Sequence, residues 1–338
     1  MTTAARPPGA QAERRRGRAP GPERGVSPSE GQNGLRTQRS LWRDALHRLL
    51  RNRAAMAGIV VIALAGIMAI LAPVIAPYDP TLTFTPEGKQ APPLADPFWG
   101  DARYTDSRYL LGTDAIGRDI LSRLIWSSRV SMLVGFVPVA VIFLIGSTVG
   151  LVSGYYGGWL DQLLMRFTDV IYAFPDLLFL FIIMATLRNN EVGDIMGGLL
   201  LMFVGIAIVN WVGMARLVRG QVLSLKEKEF IEAARAIGVP ARRIMIRHLL
   251  PNALAPVIVA VAFGIPSAML AEATLSFIGI GIRPPTATWG VMINDGYQVF
   301  SSSPWPVLLP AVCIGVVMLA FTFVGDGLRD ALDPRMKL

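Results

Sequence analysis

The sequence predicts an all-α membrane protein with six transmembrane helices, both termini in the cytoplasm, and a helical cytoplasmic loop between the fourth and fifth spans. The chain of 338 residues is 53% hydrophobic and 17% charged, whereas soluble domains are about 25% charged. Its uncharged runs reach the roughly 20 residues that a helix needs to cross a bilayer. Most of the 32 Lys and Arg residues lie in the N-terminal tail and in alternate connecting segments, an asymmetry that indicates orientation.

The N-terminal region differs in composition from the rest. Residues 1–40 are rich in Arg, Pro, Gly, Ser and Gln and contain almost no large apolar residues. Such a segment buries too little surface to offset its ordering entropy, so we expect a disordered basic tail in the cytoplasm. Residues 41–53 carry apolar residues at helical spacing among arginines, which predicts an interfacial helix. A secretory signal is not expected, because no apolar stretch begins before residue 54.

Six apolar runs follow within a membrane domain that we place at residues 54–338. The first run ends at Pro77-Tyr78-Asp79-Pro80, and the third is interrupted by Pro175-Asp176. The predicted spans are residues 54–76, 130–154, 170–187, 195–215, 251–271 and 305–324.

The basic residues place both ends of the chain in the cytoplasm. With the N-terminus inside, the tail, Arg166, residues 216–247 and the C-terminal end all lie inside and hold most of the Lys and Arg residues. The long outside segment before the second span also contains arginines, but acidic residues match them there. We therefore expect a multi-pass protein of the cell membrane, surrounded by lipid. The excess of basic residues in the inside segments accounts for the net charge of +8, so no nucleic-acid partner is expected.

This orientation puts the loop before the fifth span inside the cell. Phe230, Ala233, Ala234 and Ile237 fall at i, i+3, i+4 and i+7 and form one apolar stripe. Gly238 is suited to the left-handed turn that ends a helix, and Pro240 and Pro251 are suited to first helical turns. The spacing predicts a helix, a sharp turn and a second helix. By itself it leaves open whether this pair acts as a lever for a partner or is a passive surface helix.

The residues of this loop resemble a known motif. Glu232-Ala233-Ala234, Gly238 six residues after the glutamate, and Leu250-Pro251 are similar to the EAA loop of ABC-importer permeases. His248 stands where the general pattern has isoleucine, and Arg-His-Leu-Leu-Pro-Asn resembles the branch that imports peptides and nickel. Further matches to that branch, in the same order, are Leu111-Gly112-Thr113-Asp114, Glu272-Ala273-Thr274-Leu275-Ser276, Pro284-Pro285-Thr286 and Gly325-Asp326-Gly327-Leu328-Arg329-Asp330. The chain thus resembles the C-type permease subunit of dipeptide or oligopeptide importers. It differs from that family in its long basic N-terminal tail, which is usually shorter in other members.

The resemblance implies a set of partners. They are a second homologous permease forming a heterodimer, two ATP-binding subunits and an extracytoplasmic peptide-binding protein. In this family the EAA loop seats in a groove of the ATPase, so Ala233 is expected to be buried against it, Gly238 to make the turn, and Leu250 to anchor the loop. ATP and magnesium would bind the partner subunits. The chain has no Gly-x-x-x-x-Gly-Lys-Ser/Thr loop, so it is not expected to bind a cofactor or to be an enzyme.

Three further features have both a functional and a structural interpretation. Asp176 at membrane depth would mark a transport pathway, or would be a carboxylate at a helix end. Glu272, expected at the outer boundary, would contact a partner permease or cargo, or would have a structural partner. The apolar face at residues 120–125 predicts an outer interfacial helix, either under a docked binding protein or flat on the membrane.

Two alternatives to ATP-driven peptide import remain at this point. An ion-coupled carrier or channel needs no ATPase, but such proteins place polar groups within their spans, and these spans are nearly free of charge. The second alternative is the same machinery importing nickel or another chelated metal. Neither His47 nor His248 has a companion histidine nearby, and Cys313 is the single cysteine, which disfavours a path for bare metal.

Overall fold

The computed structural model describes residues 41–82 and 109–333. Within them the chain is helical apart from turns and one isolated bridge between Thr113 and Asp119. The helices are α1 (Leu41–Arg51), α2 (Arg53–Ile75), α3 (Ile120–Tyr156), α4 (Gly158–Tyr172), α5 (Asp176–Leu187), α6 (Glu191–Asp194), α7 (Leu199–Leu225), α8 (Glu229–Ala236), α9 (Ala241–Ile244), α10 (Leu250–Phe277), α11 (Trp289–Tyr297) and α12 (Trp305–Leu332).

Five helical stretches of the described chain are long and apolar enough to cross a membrane. They contain α2, α3, α7, α10 and α12. Helices α4 and α5 meet the same criteria together, but they are bent by 76° at the break before Asp176. Counted as one broken span, this pair completes the predicted six. The all-α membrane class is confirmed.

The second span begins earlier than predicted. Helix α3 is continuous from Ile120, and the Asp119 side chain caps it by accepting a hydrogen bond from the Ser122 backbone N–H at 2.8 Å. Ile120, Leu124 and Ile125 are buried. The prediction of a separate interfacial helix at residues 120–125 is therefore wrong, because this apolar face packs inside the protein rather than against lipid.

The third and fourth spans also extend beyond their predicted limits. Helix α4 begins at Gly158 rather than near residue 170, and α7 continues to Leu225. Asp161 and Asp169 on α4 form ion pairs with Arg219 and Arg216 on α7. Hydropathy alone treats these charged residues as the end of a span, whereas the paired helices continue through them.

At the N-terminal side, the helix predicted at residues 41–53 is present as α1 but ends at Arg51, and Arg53 already begins α2. Asn52 separates α1 from α2, and its side chain accepts hydrogen bonds from the backbone N–H groups of Ala54 and Ala55. The position of α1 at the membrane interface stays a prediction. The tail at residues 1–40 lies outside the described residues.

A network of ion pairs ties the segment before α3 to α11. Asp114 Oδ2 lies 2.5 Å from Arg123 Nη1 and 2.7 Å from Arg118 Nε. Asp295 Oδ2 lies 2.8 Å from Arg118 Nη2 and 2.9 Å from Arg123 Nη2. Because each carboxylate serves both guanidinium groups, the buried Arg123 is not left as an isolated charge. The N-terminal end of α3 is fixed in this way.

Helices α3 and α7 approach closely along a row of glycines on α3. Gly146, Gly150 and Gly154 follow one another at four-residue spacing, the pattern that lets helix backbones meet in a membrane. A Cβ atom added at Gly150 would lie 2.5 Å from the carbonyl oxygen of Ala215. Since that neighbour is backbone, no side-chain rotation relieves the clash. The glycines therefore determine how α7 is placed on α3.

We predict that Gly150→Val separates α3 from α7 and destabilises the protein by about 1–3 kcal/mol, the usual cost of overpacking. Gly220→Val is the control, because no atom lies within 4 Å of a Cβ added at Gly220 on α7. The measurement is the thermal unfolding midpoint of the detergent-solubilised protein. Equal midpoints for the two variants would contradict the close contact at Gly150.

Candidate functional site: the α8 loop and a cavity between the spans

The predicted helix, turn and second helix are present after α7. Helix α8 ends at Ala236, and Gly238 follows with a φ of 75°, the left-handed conformation that glycine adopts without strain. The N–H of Gly238 donates to the Arg235 carbonyl and that of Val239 to the Ala234 carbonyl, which closes the end of the helix. Helix α9 follows and joins α10 through a π-helical turn at Met245–Leu249.

Helix α8 has one face inside the protein and one outside. Ile231 and Ala234 are buried, with Ala234 only 5% exposed. Phe230 is 44% exposed, Ile237 is 80% exposed, and Ala233 is also exposed. The predicted apolar stripe is thus divided between the buried face and the exposed face of α8. Ala234 packs inside this chain, so it is not available as surface for an ATPase, whereas three of the four apolar residues remain free to contact a partner.

The loop is attached to the membrane helices at both of its ends. The guanidinium group of Arg235 on α8 lies 5.2 Å from the ring centre of Tyr155 at the end of α3. The Nζ of Lys226 donates to the Gly154 carbonyl at 3.3 Å. Beyond the turn, Leu249 is fully buried and Leu250 packs against the core. These contacts link the loop to the end of α3 and to the core of the described helices.

The remaining predicted loop residues are on the surface. Glu232 is exposed on α8, and Pro251 is exposed in the first turn of α10, where its missing N–H leaves no helical hydrogen bond unmade.

Ion pairs connect α7 to the broken span. Arg219 donates to both carboxylate oxygens of Asp161, each at 2.6 Å, and Ser153 Oγ also donates to that carboxylate. Nearer the bend, Arg216 pairs with Asp169 at 2.7 Å and lies over the ring of Tyr172 at 4.3 Å. The segment of α7 that precedes α8 therefore holds α4. Hydrophobic periodicity gave no sign of this arrangement.

A cavity of about 530 Å³ lies between α3, α5, α7 and α10. Its lining is mostly apolar, with Leu180 and Phe263 as examples. Four polar side chains also line it: Asp176, Asn210, Ser267 and Thr274. Asp176 is exposed in the first turn of α5, where the positive end of the helix dipole favours a carboxylate. Sequence reasoning found Asp176 and missed the other three, although Asn210 stands out as an amide within an apolar run.

Glu272 does not line this cavity. It is 2% exposed, and it accepts hydrogen bonds from Ser276 Oγ and Thr288 Oγ1, both at 2.6 Å. Thr288 in turn accepts a hydrogen bond from the Val291 N–H and so caps α11. The Glu272 carboxylate thus joins α10 to the α11 segment, and it is not on a surface where a partner permease or cargo would touch it. The structural interpretation fits its position.

Arginines also connect the chain segments at the far end of α5. Arg283 forms ion-pair and hydrogen-bond contacts with Asp194, Asn189 and the Arg188 carbonyl. Arg188 Nη1 donates to the Gly279 carbonyl at 2.5 Å. Burial lowers the pKa of the Arg188 guanidinium, and the charge of Arg283 lowers it further. These contacts join the end of α5 to the segment after α10.

Comparison with known proteins gives the family. Residues 146–338 match the model described as "Binding-protein-dependent transport system inner membrane component", and residues 40–93 match "N-terminal TM domain of oligopeptide transport permease C". The chain belongs to this transport family. It is therefore a multi-pass permease component of an ABC transport system, as the α8 motif indicated. An ion-coupled carrier or channel is set aside.

Several curated relatives cover nearly the whole chain. The oligopeptide transport system permease protein OppC of Haemophilus influenzae is 38% identical over 297 residues, covering 88% of this chain and 89% of the relative. The dipeptide transport system permease protein DppC of Alkalihalophilus pseudofirmus is 40% identical over 316 residues, covering 94% and 96%. A chain of the inward-facing MetNI methionine ABC transporter superposes on 63% of this chain, and over 98% of its own length, with a TM-score of 0.49 and 20% identity.

We predict that the two faces of α8 differ in thiol reactivity. In a Cys313→Ser background, Ala233→Cys is expected to react with a water-soluble maleimide at least about tenfold faster than Ala234→Cys, because only an accessible thiolate reacts. The two positions are adjacent alanines, so each is the control for the other. The measurement is the labelling rate of the isolated chain by mass spectrometry. Equal rates would show that α8 is not packed as described.

Proposed function

We propose that this chain is a transmembrane subunit of an ATP-driven peptide importer, and that the α8 loop receives the motion of a cytoplasmic ATPase. The observation that carries this proposal is the exposed apolar face of Phe230, Ala233 and Ile237 on a helix whose opposite face is buried. Contiguous exposed apolar surface on a fixed helix is typical of a contact with another protein. Because this face lies in the segment that resembles the EAA loop, the expected partner is the ATPase subunit.

In this proposal each residue of the loop has a separate task. Ala233 lies at the centre of the exposed face, and its small side chain allows the ATPase to approach closely. Glu232 stands beside it and offers a charge at the rim. Gly238 sets the angle of α8, while Leu250 and Pro251 connect the turn to α10. Ala234 stabilises the loop from within.

The proposed orientation puts α8 and both termini in the cytoplasm. An even number of spans leaves both ends on one side, and the arginine-rich tail and loop favour the inside. Helix α3 has 37 residues, so it is about 55 Å long at about 1.5 Å per residue. The ion-pair network before α3 then faces outside, at the end opposite to α8, where a binding protein would dock.

The assembly that we propose contains further subunits. A second, homologous permease forms a heterodimer with this chain, and cargo passes between the two. Two ATP-binding subunits hold ATP and magnesium and engage one loop each, so this chain itself binds no cofactor and catalyses no reaction. An extracytoplasmic binding protein delivers the cargo. Coupling requires the ATPase to hold α8 differently in two states, because equal affinity for both would shift nothing.

The relatives favour peptides as cargo. The named relatives are oligopeptide and dipeptide permeases that align with nearly the whole chain. Nickel is disfavoured by comparison, because none of these relatives is named for it. No three His, Cys, Asp or Glu side chains of the described segments are grouped to hold a metal ion.

Substitution of Gly238 tests the proposed coupling. We predict that Gly238→Val leaves the transporter assembled in the membrane but uncouples ATP hydrolysis from peptide uptake, because a β-branched residue is strongly disfavoured at φ 75°. Gly238→Asn is the matched control, since asparagine adopts the left-handed conformation far more readily. No atom lies within 4 Å of a Cβ at this position, so the two variants differ in backbone strain rather than in steric clash.

The measurement is ATP-dependent uptake of a labelled tripeptide into proteoliposomes, alongside ATP hydrolysis in the same vesicles. We expect wild type and Gly238→Asn to couple the two rates and Gly238→Val to hydrolyse ATP with little uptake. Normal uptake by Gly238→Val would contradict the role given to the loop. Uptake that follows an ion gradient without ATP would contradict the function itself.

A further inference from the structure

The polar side chains that line the cavity between the spans offer mainly hydrogen-bond acceptors. Ser267 Oγ donates to the Phe263 carbonyl at 2.9 Å, and Thr274 Oγ1 donates to the Leu270 carbonyl at 2.8 Å. Each hydroxyl has a single hydrogen, so both hydrogens are already used within α10. What these side chains still offer to the cavity is the lone pairs of their oxygens.

Asn210 also offers an oxygen, although it keeps a donor as well. Its Nδ2 carries two hydrogens, and one of them is donated to the Ile206 carbonyl on its own helix at 2.9 Å, which leaves one N–H beside the oxygen. The Oδ1 of that amide has no hydrogen and acts only as an acceptor. Helix α7 therefore presents an acceptor to the cavity, as α10 does twice.

Asp176 supplies the charge of the cavity. Among the described residues that line it, Asp176 is the one ionisable side chain, and none is Arg, Lys or His. Across residues 41–82 and 109–333, no ion pair or hydrogen bond joins its carboxylate to another group. By contrast, Asp161, Asp169 and Asp295 each pair with arginine. A carboxylate that is exposed at the edge of a mostly apolar cavity and has no partner among the described residues is available to pair with a cationic ligand.

The dipole of α5 explains part of this arrangement. It accounts for a carboxylate being tolerated in the first turn of that helix. It does not account for three oxygen acceptors that α7 and α10 present to the same cavity. Those acceptors add to the preference for a group that carries N–H donors and positive charge.

We propose that Asp176 receives the α-ammonium group of a peptide as it crosses the membrane, and that the oxygens of Asn210, Ser267 and Thr274 accept hydrogen bonds from N–H groups elsewhere along the same peptide. This inference rests on the proposed import of peptides. An α-ammonium group carries one positive charge and N–H donors, which suits a carboxylate. Ser267 and Thr274 lie seven residues apart on α10, about 10 Å along the helix, so they are placed to meet different parts of an extended peptide. The volume of about 530 Å³ is in the range of small-ligand sites, and the apolar remainder accepts varied side chains without selecting among them.

The site is expected to bind weakly. A group in transit must be held strongly enough to enter and loosely enough to leave. A millimolar dissociation constant fits this requirement. The site therefore orients a peptide by its amino end and does not discriminate among peptide sequences.

The test measures occupancy of the cavity directly. Ala271→Cys in the Cys313→Ser background places a thiol in the lining of the cavity. The full transporter with all partner subunits is purified and treated with iodoacetamide, a small neutral reagent. We expect trialanine at about 10 mM to slow alkylation at least about threefold in one nucleotide state, as competition at a few times the dissociation constant predicts. N-acetyl-trialanine, which lacks the ammonium group, is expected to give no protection.

Variants of Asp176 complete the test. Asp176→Asn keeps the shape but removes the charge, so it is expected to abolish protection by trialanine, and Asp176→Glu is expected to restore it. Glu191→Gln, which removes an exposed carboxylate beyond the other end of α5, is expected to leave protection unchanged. Protection that survives in Asp176→Asn, equal protection by the acetylated peptide, or no protection in any nucleotide state would each overturn the assignment.

Uptake by the same preparation separates this inference from the proposed function. If the unsubstituted transporter takes up trialanine with ATP while the cavity thiol is never protected, peptide import is supported and the role of Asp176 is refuted. If no ATP-dependent peptide uptake occurs, the proposed function falls and the inference falls with it.

Discussion

The close contact of α3 with α7 determines the geometry of the other functional parts. Gly150 brings α3 against the backbone of α7 at Ala215, and contacts further along the two helices depend on this approach. It puts Lys226 within reach of the Gly154 carbonyl, and it brings the end of α3 to the position where Arg235 covers Tyr155.

The same contact separates the stiff parts of the molecule from the adaptable ones. Helices α3 and α7 move as a unit because backbone meets backbone. The α4–α5 span is joined to α7 by ion pairs such as the exposed Arg216–Asp169, which contributes at most about 1 kcal/mol. This span is also joined to α7 by the buried Leu180 and Met184 of α5. Its bend of 76° lies next to Asp176, which faces the cavity. A motion delivered to α8 is therefore expected to change the cavity by shifting α5 rather than by deforming α3.

The sequence was a good guide where a single physical signal decides the structure. The charge-free runs predicted the spans, and glycine at position 238 predicted the sharp turn that the structure contains. Prediction failed where tertiary partners override a local signal. Arg219 and Asp161 mark the ends of hydrophobic runs, yet their pairing extends two helices. Periodicity likewise assigned Ala234 to the same face as Ala233, because it does not reveal which side of a short helix packs inward. The acceptor character of the cavity depends on where the Ser267 and Thr274 hydrogens go, and no sequence pattern shows that.

The central claim is that engagement of α8 by a nucleotide-driven partner changes the cavity through the α3–α7 unit. Spin labels at Leu178 on α5 and Leu270 on α10, both exposed, would report the separation of the two walls in the assembled transporter. We expect the distance distribution to differ between nucleotide-free and ATP-trapped complexes, and the difference to disappear when Gly238 is replaced by valine. A nucleotide-dependent change that persists in that variant, or an unchanged distance in the unsubstituted complex, would contradict the account.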